Sequence, residues 1–327
     1  MSTQERGTKK DLEITKRIDF GKTGFKVTPL CIGAAPLGNM PDAFGFTVSE
    51  EDAAKTIKHA FSSPFNFMDT APEYEESEKR IGNVLREIGG IPKGYVLATK
   101  ADRNFQTGDF SAEQVRKSVE LSRERLGLET LQLVYLHDPE HSTYSYDQIM
   151  GRRGPVDELL ELKKQGIIHH IGISAGPIDL LSRFVEESDV FEAVITHNRY
   201  NLLYRTADPL LTLASEKGIA VVNAAPFASG IFARGSEEYP RFTYQVASFE
   251  ILGRVKQIEE VCRKYNVSLR AAALQFSLRD SRITTTIAGM TSPEQIDQAI
   301  SDSQVVVPQE LWNELDQLAI YEGDPER

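Results

Sequence analysis

From about residue 29 onward, short runs of β-branched and aromatic residues alternate with longer stretches whose apolar residues recur three and four apart. The first pattern suits buried strands and the second amphipathic helices. Eight strands are predicted: PLCIG, FNFMDT, YVLATK, LQLVYLH, IIHHIGIS, EAVITHN, IAVVNAA and TTTIAG. Helices are predicted over about 49–62, 76–88, 111–126, 147–165, 177–187, 207–217, 249–265 and 293–301, with a final one near 308–320. Ser49 and Ser111 precede acidic first turns, and Ser292-Pro293-Glu294-Gln295 has capping-box spacing with proline at the first helical position.

Eight strand and helix pairs fit a (β/α)8 TIM barrel better than a doubly wound sheet, which carries a glycine fingerprint after its first strand. No G-x-G-x-x-G occurs. Ahead of the alternation, RIDFGKTGFKVTPL reads as an N-terminal β-hairpin turning at Lys22 to Gly24. Its Gly21-Lys22-Thr23 is not a phosphate loop, because Lys16 stands where the leading glycine belongs and no helix follows. The expected organisation is a flexible arm over residues 1–15 and one barrel domain over 16–327, with the final helix as a C-terminal addition. Long connections at about 101–110, 138–147 and 224–248 are expected to cover a site.

Composition narrows the classes. An apolar content of 40% supports a substantial core, and the net charge of −11 disfavours nucleic acid and anionic lipid as partners. MSTQERGTKKDLEITK lacks the apolar stretch of a signal peptide, and no apolar run reaches the roughly 18 residues of a membrane span. A soluble, cytoplasmic protein acting on a small molecule is therefore expected. The oligomeric state stays open, a homo-oligomer included. Cys31 and Cys262 are too few and too far apart for a disulfide framework or a cysteine metal cage.

The candidate chemistry lies at strand ends. The second, third and fourth strands end on Asp69, Lys100 and His137, and Tyr74 follows a turn after the first of these. In a barrel, the carboxyl ends of all strands open on one mouth, so these four would converge. A neighbouring ammonium favours a phenolate, so Lys100, anchored by Asp69, would lower the Tyr74 pKa and make it a general acid and base. His137 could donate a hydrogen bond to the same oxygen. Taken singly, each residue is more often structural, as a cap, a solvated lysine or a satisfied histidine. No metal site is expected: Pro139 disrupts the spacing of His137 and His141, while His169 and His170 point to opposite faces of a strand. Phe44, Phe46, Tyr144 and Tyr146 would either line a substrate pocket or remain solvated.

MDTAPEYEESEKRIG, LATKAD, LVYLHDPE, GISAG, THNRYNLL and IAGMTSPEQI resemble the signatures of the aldo-keto reductases, a likeness running from about residue 17 to 320. The resemblance implies a nicotinamide-dependent oxidoreductase with Asp69, Tyr74, Lys100 and His137 as its catalytic tetrad. It further implies that Ser174 and Asn198 hold the nicotinamide carboxamide, with His197 standing where glutamine is usual. Ala224 occupies the place of the tyrosine that many members stack on the nicotinamide, leaving Phe227 or another loop for that role.

Cofactor phosphates in a barrel favour the ends of the last two strands, where N–H groups and a helix amino terminus point outward. Ser229 and Gly230, and Gly289, Met290 and Thr291, fit that position. Gly33, Asp69, Asn223, Pro226, Phe227, Gln295 and Gln298 complete the expected cofactor contacts. A 2′-phosphate is best held by arginine or lysine, yet no basic residue occurs from Ile283 to Glu326. NAD is therefore expected over NADP, unless Arg205 or another distant side chain supplies the charge.

NAD dependence points toward oxidation. LATKADRN and LHDPEH look most like the members that oxidise free sugars at the anomeric carbon, the D-threo-aldose, L-fucose and L-galactose dehydrogenases. That likeness implies a lactone product and activity rising toward alkaline pH. The alternatives are an NADPH-dependent aldehyde or ketone reductase, a dehydrogenase of a pyridoxal-type alcohol, and a cofactor-binding regulatory subunit without turnover.

Overall fold

The computed structural model describes residues 13–326 apart from Ala319. Eight parallel strands close into a barrel. They are β1 (Leu30–Gly33), β2 (Phe67–Asp69), β3 (Val96–Ala101), β4 (Leu131–His137), β5 (Ile168–Ser174), β6 (Ala193–His197), β7 (Ala220–Ala224) and β8 (Thr285–Gly289). Closure joins β8 to β1, with Gly289 opposite Gly33, and the architecture is the expected (β/α)8 barrel. Register brings Gly33 beside Asp69 and His137 beside Ser174, so the strand ends meet at one mouth.

The barrel is filled rather than hollow. Phe67, Leu133, Tyr135 and Val222 are fully buried inside it, and a Cβ at Gly172 would run into the Tyr135 ring. The N-terminal hairpin (Ile18–Asp19 paired with Lys26–Val27) seals the opposite end with Phe20 and Val27. Residues 1–12 of the expected arm lie outside the described residues; within 13–15, Ile14 packs into the core.

Among the described residues, ten helices of at least nine residues surround or follow the strands: α1 (Glu50–Ser62), α2 (Ser77–Ile88), α3 (Ala112–Leu126), α4 (Pro155–Lys164), α5 (Ile178–Glu187), α6 (Asp208–Glu216), α7 (Phe249–Lys264), α8 (Leu269–Leu278), α9 (Pro293–Gln304) and α10 (Gln309–Gln317). Burial follows helical spacing, as with Ile81, Val84 and Leu85 on α2. Ser49, Ser111 and Ser292 each accept from the backbone N–H three residues on. The Gln295 side chain turns to the Thr291 N–H instead of completing a capping box.

Three helical expectations need correction. The single helix over 147–165 is two, Tyr146–Met150 and α4, because Gly151 to Gly154 interrupt it and Pro155 restarts it at the first helical position. The final helix stops at Gln317. Helix α8 was not expected at all: its residues Ala271 to Leu274 and Phe276 to Leu278 are all buried, so no polar face marks its period. The long connection after β7 also contains a two-stranded ribbon, Arg241–Phe242 with Gln245–Val246. No helix among the described residues is long and apolar enough to cross a membrane.

Candidate active site

The carboxyl ends of the strands surround a cavity of about 640 Å³. Asp69, Tyr74, Lys100 and His137 all line it. Lys100 and Asp69 are buried at its floor, the ammonium 2.6 Å from the carboxylate and 2.8 Å from the Thr70 carbonyl. The same Nζ lies 4.6 Å from the centre of the Tyr74 ring, and the His137 ring stands perpendicular to that ring at 6.2 Å. The turn carrying Tyr74 fits closely against the β1 exit: Glu76 N–H donates to the Gly38 carbonyl, and a Cβ at Gly38 would strike the Tyr74 carbonyl.

Electrostatics at the floor differ from the sequence expectation. Burial, reinforced by the Asp69 charge, raises the Tyr74 phenol well above 10.0 instead of lowering it. Lys100 spends two of its hydrogens on Asp69 and Thr70. Burial also raises the Asp69 carboxyl, with the Lys100 ammonium opposing the rise. For His137, burial favours the neutral ring, but the Asp138 and Asp102 carboxylates outweigh it and hold its pKa at about 9.

Asp102 was not foreseen. It is buried one residue beyond β3, where its Oδ1 lies 2.5 Å from His137 Nδ1 and its Oδ2 accepts the Glu73 N–H at 2.8 Å. Its signal was present in LATKAD, two positions past the lysine and so on the same side of the extended chain. Ligand-capable atoms of Glu73, Asp102 and His137 lie within 4.8 Å of one another, and the His137–Asp102 contact is already a direct hydrogen bond.

The remaining expected contacts divide into two groups. Gly33, Ser174, His197, Pro226, Phe227, Ser229, Gly230, Gly289, Met290, Thr291 and Gln295 line the cavity with the tetrad. Asn223, Asn198 and Gln298 do not. Asn223 is fully buried and donates to the Tyr200 carbonyl and Ser277, so its amide serves the barrel wall. Gln298 donates to Asp302, and Asn198 donates to Glu326. Among the loop aromatics, Phe44 and Phe46 reach the cavity. Tyr144 bonds Asp109, and Tyr146 packs under Arg183 at 3.6 Å.

Two further elements cap the mouth. Tyr244, at the turn of the 241–246 ribbon, lines the cavity and meets Phe44 edge-on at 5.7 Å. The C-terminal segment returns to β6: Asp324 and Glu326 pair with Arg199 at 2.6 and 3.2 Å, and Glu326 lies 3.1 Å from His197. Burial would raise the Glu326 carboxyl, but His197 and Arg199 draw it down to about 2. Contacts across more than 120 residues of sequence leave no local pattern to read.

The segment after β7 turns tightly where Ser229 and Gly230 line the cavity. Ala228, Ser229 and Gly230 carry consecutive positive φ angles of 46°, 61° and 112°, and the Ala228 and Gly230 N–H groups donate to the Ala225 and Phe227 carbonyls. Ser229 Oγ is buried there without a partner among the described residues. Across the cavity, Thr291 leads into the amino terminus of α9.

An eight-stranded barrel whose mouth joins a buried amine–carboxylate pair, a phenol and an imidazole has the arrangement of a nicotinamide-linked oxidoreductase. Comparison with known proteins gives the family: the Aldo/keto reductase family pattern matches residues 29–320, and the chain belongs to that family. It is an NAD(P)-dependent oxidoreductase. Its relatives include L-galactose dehydrogenase of Arabidopsis thaliana, 33% identical with 86% of each chain covered. Pyridoxal 4-dehydrogenase of Microbacterium luteolum is 30% identical, covering 93% of this chain and 97% of the relative. D-threo-aldose 1-dehydrogenase of a Pseudomonas species is 29% identical, covering 89% and 94%. Among solved structures, an aldo-keto reductase of Bacillus halodurans shares the fold with a TM-score of 0.73 at 23% identity, over 95% of this chain and 99% of that one.

Proposed function

We propose that the protein oxidises a free aldose at its anomeric carbon to a lactone, with NAD as the preferred acceptor. The observation that carries this reading is the floor geometry: Lys100 sits between Asp69 and the Tyr74 ring, with His137 perpendicular to that ring. Two of the relatives act on sugars according to their names.

The nicotinamide, when bound, would supply the hydride acceptor. Tyr74 takes the proton of the anomeric hydroxyl as the C–O bond becomes a carbonyl. His137, its Nδ1 engaged by Asp102, offers Nε2–H to the same oxygen and stabilises charge developing there. Lys100 lies near enough to the Tyr74 ring to stabilise its anion, and Asp69 keeps the ammonium in place. With the dinucleotide bound, Ser229, Gly230 and the amino terminus of α9 would hold its phosphates, and Ser174 and His197 would serve its nicotinamide. The barrel core and the capping ribbon limit water at the floor.

The pH dependence follows from two groups. A phenol held well above 10.0 is increasingly ionised as pH rises, so log(kcat/KM) for oxidation climbs from pH 7. His137, facing Asp102, Asp138, Glu73, Lys100 and Tyr74, keeps its donor proton until about pH 9, where the climb ends. Asp102→Asn removes one of the charges that hold this proton, so the break shifts to lower pH. A break that stays in place would show that Asp102 does not govern the imidazole.

Gly38→Ala tests the placement of Tyr74. The added methyl group must push the Tyr74 turn away, and a displacement near 1 Å costs about 10²-fold in kcat. Calorimetric binding of NADH should be unaltered. An unchanged kcat would mean that the turn does not position the phenol.

Initial rates with NAD plus L-galactose, L-fucose or D-threo-aldoses, against NADPH plus an aromatic aldehyde, separate oxidation from reduction. The 30% identity to a pyridoxal 4-dehydrogenase over 93% of this chain supports a second reading, oxidation of pyridoxal as its hemiacetal. The same panel with pyridoxal tests it. Cofactor binding without turnover on any of these would favour a regulatory subunit.

A further inference from the structure

The cavity also extends along α9. On α9, Gln295, Ala299 and Asp302 are spaced four and three residues apart and therefore share a face, and all three line the cavity. Arg270, from the first turn of α8, lines it too, its Nε 2.7 Å from Asp302 Oδ2. Asp302 is nearly inaccessible, and its other oxygen accepts from Gln298 at 3.1 Å. Arg270 is one-third exposed, with no hydrogen bond from its terminal nitrogens among the described residues.

This arginine supplies the cation missing from the 283–326 stretch. Arg205, the distant candidate, instead pairs with Asp316 at 2.6 Å and does not line the cavity. A dinucleotide with its reacting ring at Tyr74 and its phosphates between Ser229 and Thr291 would direct its adenosine ribose toward Arg270 and Asp302.

We infer that the Arg270–Asp302 pair is the selectivity element for the adenosine ribose, and that Asp302 makes it favour NAD. The inference rests on the NAD-linked reading above. A ribose diol can donate to the carboxylate while accepting from the guanidinium, so it matches an ion pair on both sides. A 2′-phosphate has only acceptor oxygens and about two negative charges, and it meets a buried carboxylate that water screens poorly. Asp302 thus neutralises a guanidinium that would otherwise recruit NADP.

Dissociation constants for NADH and NADPH, measured by fluorescence titration on the full chain, test this without turnover. Wild type should bind NADH more tightly. Asp302→Asn leaves Arg270 unopposed and should improve NADPH relative to NADH by about tenfold, the effect of one charge-assisted contact. Adding Arg270→Ala to that variant should abolish the gain. If Asp302→Asn fails to fold, Arg270→Gln alone should widen the preference for NADH, and a narrowed preference would overturn the inference. Wild type favouring NADH with an Asp302→Asn ratio unchanged within about twofold would overturn the inference and leave the NAD reading standing. Wild type favouring NADPH would overturn both.

Discussion

If Tyr74 is the general base of the proposed sugar oxidation, Tyr74→Phe lowers kcat by about 10²–10⁴ while NADH binding stays within a few-fold of wild type. The substitution removes one oxygen and leaves the aromatic ring against Lys100 and His137. In the proposed reaction the proton of the anomeric hydroxyl then has no acceptor at the floor, because Lys100 donates to Asp69 and Thr70, and His137 holds its own proton to about pH 9. Steady-state rates and calorimetric cofactor binding on the same preparation check both halves. Retained kcat would remove Tyr74 from the chemistry; lost cofactor binding would make it a structural residue of the mouth.

Lys100→Met has the largest expected effect on stability. It leaves the Asp69 carboxylate buried without its cation, a loss of about 3–5 kcal/mol for one partner of a buried pair. Thermal unfolding should shift downward by on the order of 10 °C. Asp69→Asn added to Lys100→Met should recover part of that stability, since no unpaired charge remains, and recover none of the activity. If the single variant unfolds at the wild-type temperature, the pair does not hold the floor together. Activity recovered along with stability in the double variant would show that the amine serves folding and not the phenol.

Much of this arrangement could be read in advance because a barrel gives sequence a simple rule: a polar residue ending an apolar run lies at the mouth. Asp69, Lys100 and His137 each obey it, and Tyr74 follows within one turn. Asp102 escaped because it sits just past its strand, where a carboxylate resembles a solvated loop residue; only the fold turns it inward to His137. The sign of the Tyr74 shift was misread for a similar reason. Adjacency to Lys100 was foreseeable, but the burial that dominates the phenol depends on surrounding side chains drawn from across the chain. Asn223 and Asn198 fall at strand ends that face the wall and the C-terminal segment, so position alone misdirected them. Arg270 belongs to α8, whose uniformly buried face concealed the helix and with it the cation.

In the proposed reaction, hydride leaves the anomeric carbon of a sugar while Tyr74 receives the proton. An aldose deuterated at that carbon, incubated with NAD and the enzyme, tests it most directly by mass spectrometry of the reduced nucleotide. The account predicts deuterium in the nicotinamide ring, formed with wild type and lost by about 10²-fold or more in Tyr74→Phe. Reduced nucleotide without the label, or label arriving equally fast in Tyr74→Phe, would contradict it.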